Sequence, residues 1–101
     1  MMSFEELRKN LDNPREFSKD EFAQIWWWMR PKWSEEGRDI CQIIVDAKIF
    51  NTVSDSRRKI KENCVSWNGV KVTDPSFKPT FIEPGFGIIK IGKKNHYMVM
   101  G

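Results

Sequence analysis

Asn68-Gly69, with Val65 and Trp67 before it and Val70 and Val72 after it, constrains this chain more than any other stretch. An Asn-Gly pair between alternating apolar residues is the strongest short-range signal for a two-residue β-hairpin, because both central positions need φ > 0. Just upstream, Thr52 followed three residues later by Asp55 has the capping-box spacing, so a helix is predicted to start near Val53. The 3.6-residue period puts Val53, Ser56 and Ile60 on one side and Arg57, Arg58 and Lys61 together on another. Asn63 can take the left-handed conformation that ends such a helix. A cationic helix therefore leads straight into a hairpin.

The 101 residues suffice for one domain with a single core. The formal net charge of +3 hides a segregation. Residues 1–47 carry seven Lys/Arg against ten Asp/Glu, whereas residues 48–101 carry ten against four. A positive field gathered in one half suits a polyphosphate backbone, and a solvated lysine-rich face is the plainer alternative. No stretch has the length of a transmembrane helix, and Glu5, Glu6 and Asp12 near the start argue against a cleaved presequence. Cys41 and Cys64 have no CxxC partner or histidine cluster, so buried free thiols are expected, with no metal site.

Capping-box pairs Ser3/Glu6 and Ser18/Glu21 predict helices over about 4–11, with a stripe of Phe4, Leu7 and Leu11, and from Ser18 to Arg30-Pro31, with Phe22, Ile25, Trp26 and Met29 inward. Trp26, Trp27 and Trp28 are consecutive and cover about 200° of a helix, more than one packing surface takes. Two readings stand. Trp26 and a neighbour bury while the third lies along a seam, or Trp27 and Trp28, with Trp33, form an exposed patch for a protein partner or for stacking on bases. Ser34-Glu35-Glu36 predicts a third, largely apolar helix to about Lys48, packed against both the N-terminal piece and the basic unit. Phe77 and Phe81 are expected to anchor the loop marked by Pro75 and Pro79. The C-terminal segment predicts a second hairpin around Gly92-Lys93-Lys94-Asn95, with Ile89, Ile91, Tyr97 and Val99 on one face and Lys90 outward. His96 has no catalytic companion nearby and is read as a strand-surface or hydrogen-bonding residue.

The run from Ile40 to the C-terminus resembles the RNA-binding domain shared with small-subunit ribosomal protein S-four, in the version that ends bacterial and mitochondrial tyrosyl-tRNA synthetases. Ile44 to Ile49 is similar to that family's first helix; Thr52, Ser56, Arg57 and Ile60 match its cap, small packing residue, arginine and apolar anchor. Val65 to Gly69 with Lys71 matches its strand and turn, and Ile88 to Asn95 its synthetase-type ending. Lys48 and Asn63 stand where the family often has glycine, Trp67 is large for its strand position, and residues 1–37 match no part of a synthetase. The resemblance implies an α+β, S-four-like fold, with two helices on a small twisted antiparallel sheet over residues 38–101. A Trp-rich helical extension over residues 1–37 precedes it.

It further implies that Thr52, Arg57, Arg58, Lys61, Lys71, Lys93 and Lys94 face RNA phosphates. The function expected is non-catalytic and cofactor-free: recognition of structured rRNA or tRNA as a component or assembly factor of a ribosome or mitochondrial ribosome, with Trp27, Trp28 and Trp33 toward a protein neighbour. The alternative is a tyrosine-tRNA-binding module of, or acting in trans with, a tyrosyl-tRNA synthetase. Either places it inside the cell, in cytoplasm or mitochondrial matrix, and neither needs a membrane.

Overall fold

The structure, a computed structural model, describes residues 4–35, 37–83, 85–93 and 95–101, leaving aside the side chains of Phe4, Glu6 and Leu7. The Ser3/Glu6 cap and most of the first apolar stripe lie outside what is described. Helix α1 covers Phe4–Asn10 and α2 Lys19–Met29, with a 3₁₀ turn at Pro14–Glu16 between them. Helix α3 covers Ile40–Asp46 and α4 Val53–Lys61. Strands β1 (Lys32–Trp33), β2 (Val65–Trp67), β3 (Val70–Lys71), β4 (Phe86–Ile91) and β5 (Asn95–Met100) form one sheet in the order β1-β5-β4-β2-β3. The chain is thus a mixed α+β domain.

Local chemistry explains most boundaries. Ser18 Oγ accepts from Glu21 N at 3.1 Å to start α2, and Arg30, at φ 53, ends it before Pro31. The Asn68-Gly69 turn has φ values of 51° and 85°, as a primed hairpin turn requires. Here glycine is needed twice over, because a Cβ on Gly69 would also overlap the backbone oxygen of Asp12. Lys48 and Asn63 hold φ 60° and 61°, so both keep the left-handed geometry glycine would supply.

Three expectations need correction. The third helix does not begin at Ser34: Trp33 pairs with Met100 in the sheet, Ser34 N donates to Met100 O, and Gly37 turns at φ 97°. Asp39 caps α3 instead, accepting from Gln42 N at 2.9 Å. The sheet is not wholly antiparallel, since β1 runs parallel to β5. Phe77 does not anchor the core; it is 40% exposed, while Phe81 is buried.

Burial on both faces of β4 and β5 follows from the period-2 alternation. Ile89 and Val99 face α3 and α4, joining Ile40, Ile43, Ile44, Ile60, Val65 and Trp67 in one cluster. Phe86, Ile88 and Met98 face the other way, joining Leu11 and Ile25. Helix α3 therefore packs on the sheet and α4 but not, as expected, against the N-terminal helices, which cover the opposite face because Phe86, Ile88 and Met98 point that way. The expected grouping of Ile89, Ile91, Tyr97 and Val99 holds by register. Lys90 does project to the other face, where its Nζ lies 3.9 Å from Asp12 Oδ1, beside His96 Nε2 at 3.4 Å from the same oxygen. His96 is thus a hydrogen-bonding neighbour of Asp12, one of the two roles expected for it. No helix of the described residues is long and apolar enough to cross a membrane.

Candidate nucleic-acid interface

Helix α4 is built as its sequence dictates. Thr52 Oγ1 accepts from Asp55 N at 3.1 Å, and Ser56, fully buried, donates Oγ–H to Thr52 O. The small Ser56 and the buried Ile60 seat α4 against α3 and the sheet, which turns Arg57, Arg58 and Lys61 to solvent. The carboxylate of Asp55 accepts from Arg58 Nη2 at 3.2 Å. That exposed pair is weak, yet it gives Arg58 a competing partner. Among the described residues Arg57, Lys61, Lys71 and Lys93 make no ion pair. The cations of the last turn also complement the negative end of the helix dipole, the plain structural benefit of placing them there.

Tertiary contacts bring some of the remaining residues to α4. Gly92 N donates to Cys64 O at 2.7 Å, which pins the β4–β5 turn, and with it Lys93, beside the end of α4. Lys94 lies outside the described residues. Lys71 is paired with Ser66, and Ser66 with Lys90, so it belongs to the sheet face opposite α4. Thr52 is exposed, but one lone pair of its Oγ1 is engaged as the cap, leaving the hydroxyl proton as its donor to a phosphate. Arg15, from the 3₁₀ turn, was missed by sequence reasoning: it shares a cleft with Lys71, and no local pattern links positions so far apart.

The tryptophans divide. Trp27 and Trp33 are 76% and 61% exposed and, with Trp26, Arg30 and Pro31, line a groove of about 350 Å³. Trp28 is half-buried against the Leu11/Ile25 cluster. Trp27→Ala is expected to change unfolding free energy by less than about 0.5 kcal/mol, as for an exposed site. Trp28→Ala is expected to cost more than about 1 kcal/mol. Paired urea titrations check both. Trp67 is only 5% exposed, donates Nε1–H to Thr80 O and lies against Phe81, so its ring belongs mainly to the core.

Cys41 and Cys64 are both free thiols; Cys41 is buried as expected, whereas Cys64 is only half-buried. Burial raises the Cys41 pKa above the ordinary thiol range and the Asp39 carboxylate adds to this, while Arg57 pulls it back. The folded state thus favours the protonated thiol. Its contribution to stability is complete below the unfolded thiol pKa of about 8.5 and is lost as pH rises through the folded value. Thermal melts from neutral to alkaline pH should therefore show the wild type losing stability relative to Cys41→Ala above about pH 8.5; parallel curves would contradict this.

Compared with known proteins, residues 29–99 match the tyrosine–tRNA ligase SYY-like C-terminal domain. The chain belongs to that family. It is 42% identical over 67 residues to the tyrosine–tRNA ligase of Lachnoclostridium phytofermentans, covering 63% of this chain and 16% of that protein. To the corresponding ligase of Fusobacterium nucleatum it is 35% identical over 63 residues, 62% of this chain and 15% of the relative. To that of Clostridium kluyveri it is 36% identical over 69 residues, 66% and 17%. The chain thus spans about a sixth of the length of these relatives. The matched region begins at the last residue of α2, so residues 29–37, expected to match no part of a synthetase, fall inside it; it takes in β1 to β4 whole and β5 as far as Val99.

Proposed function

We propose that this chain is a non-catalytic tRNA-binding module of the tyrosyl-tRNA synthetase type, gripping the phosphate backbone with α4 and the β4–β5 turn. The observation that carries the reading is the coincidence of the family match with the α4 cations: residues 29–99 contain Arg57, Lys61 and Lys93, all exposed and without an ion pair among the described residues. The three relatives above are tyrosine–tRNA ligases, which favours tRNA over ribosomal RNA as ligand. The α3–α4 pair on the sheet supports an S-four-like arrangement for residues 38–101. Residues 1–37, the last nine of which lie within the family match, are proposed as an extension whose exposed Trp27 and Trp33 face a protein neighbour.

Binding is dominated by phosphate neutralisation, with RNA shape rather than base edges as the main discriminator. With about five engaged cations, log affinity falls with log salt at a slope of roughly −3.5 to −4.5. Filter binding to tyrosine tRNA, a second tRNA and a small-subunit rRNA helix tests the assignment. Tightest binding to tyrosine tRNA with that slope is expected. Equal affinity for all three would overturn the tRNA assignment, and tightest binding to the rRNA helix would restore the ribosomal one.

A further inference from the structure

At the far edge of the sheet a cleft joins residues inside the family match to one outside it, Arg15. It measures about 280 Å³ and lies between the β2–β3 hairpin, the loop that follows it, and Arg15 of the 3₁₀ turn. Val70 and Phe77 line it, and they are 70% and 40% exposed, two of the four large exposed hydrophobics among the described residues. Single exposed apolar side chains need no explanation, but two turned to one concavity do. Arg15 and Lys71 supply positive charge at the same cleft. Its one lining carboxylate, Asp74, is already engaged, accepting from Ser76 N at 2.9 Å. The size is near the lower end of the roughly 300–1,000 Å³ typical of small-ligand pockets, so the site holds one ring system rather than an extended chain.

We infer that this cleft receives a single unstacked nucleobase of the bound RNA, with the adjoining phosphate against Arg15 and Lys71. An aromatic and aliphatic wall beside two cations matches the two halves of a nucleotide, a π-face and an anion. A base held in a duplex cannot enter a concavity, so the occupant comes from a bulge, loop or single strand. The inference rests on the RNA-binding reading above and adds to it a preference for an unpaired nucleotide. It also gives Lys71, which stands on the face away from α4, a contact of its own.

The test uses the full chain and two RNAs: a continuous duplex, and the same duplex with one bulged nucleotide. The wild type is expected to bind the bulged RNA more tightly. Phe77→Ala is expected to weaken binding of the bulged RNA roughly 5- to 150-fold, the range that truncating a base-stacking aromatic gives, and to leave the duplex within about twofold. Arg15→Ala, at an exposed position, provides a second variant should Phe77→Ala lower the melting temperature; it should weaken the bulged complex and reduce its salt slope by about one. Equal wild-type affinity for the two RNAs, equal losses on both, or no loss in either variant would overturn the nucleobase cleft while leaving the α4 surface standing. Failure of the wild type to bind either RNA would overturn the RNA-binding reading itself.

Discussion

Arg57→Ala combined with Lys61→Ala is expected to weaken RNA binding roughly 10- to 30-fold at about 0.15 M salt, and to make the log–log salt slope shallower by roughly 1.4 to 1.8. Each phosphate that is no longer neutralised keeps about 0.7 to 0.9 of a counterion, and this contribution vanishes at a 1 M salt reference. The two positions are one helical turn apart on the exposed side of α4, and among the described residues neither makes an ion pair. Alanine is the best helix former, so α4 should persist, apart from a few tenths of a kcal/mol of reduced dipole complementation. Circular dichroism melts establish that the fold is retained, and the salt titration gives the slope. An unchanged affinity and slope would place the RNA elsewhere. Arg58→Ala should have a smaller effect than Arg57→Ala, because Asp55 already competes for the Arg58 guanidinium at 3.2 Å.

Gly87→Ala is expected to destabilise the domain by roughly 2–4 kcal/mol, a large part of the 5–15 kcal/mol typical of small proteins. Gly87 sits in β4, and its φ lies outside the positive region, so the backbone itself would accept alanine. The cost is steric: a Cβ there would overlap the six-membered ring of Trp67. That ring is walled on another side by Phe81, centroids 5.3 Å apart, and held by its Nε1–H bond to Thr80 O, so it cannot swing away without giving up both. A double-mutant cycle separates this from a general weakness of β4. In a Trp67→Leu background, itself destabilised by removal of the ring, the added cost of Gly87→Ala should fall to below about 1 kcal/mol. Strictly additive losses in urea titrations would rule out the collision as the cause. The same pairing explains how a tryptophan, large for its strand position, fits there at all: glycine on the neighbouring strand makes the space.

The elements legible in the sequence are those settled within a few residues. Thr52 and Ser18 cap their helices because a side-chain oxygen meets an N–H three residues on. Asn68-Gly69 turns because those two residues tolerate φ > 0. The cationic face of α4 follows from the helical period once Ile60 is known to point inward. Family membership was legible for a related reason, since the matching motifs are themselves the caps, the turn and the inward residues.

What the tertiary structure alone decided depends on contacts between residues far apart in the chain. Lys32-Trp33 carries no strand signal of its own and becomes β1 only because β5 offers a free edge. Trp28 goes to the core and Trp27 to solvent because α2 covers the sheet face bearing Phe86, Ile88 and Met98. Lys71 parts from the α4 cations because the pleat sends alternate residues to opposite faces. Arg15 reaches its side because the Asp12 backbone packs against the Gly69 turn. Local pattern fixes which face of an element is apolar; which neighbour covers that face, and which charges then share a cleft, follows only when the layers close on one another.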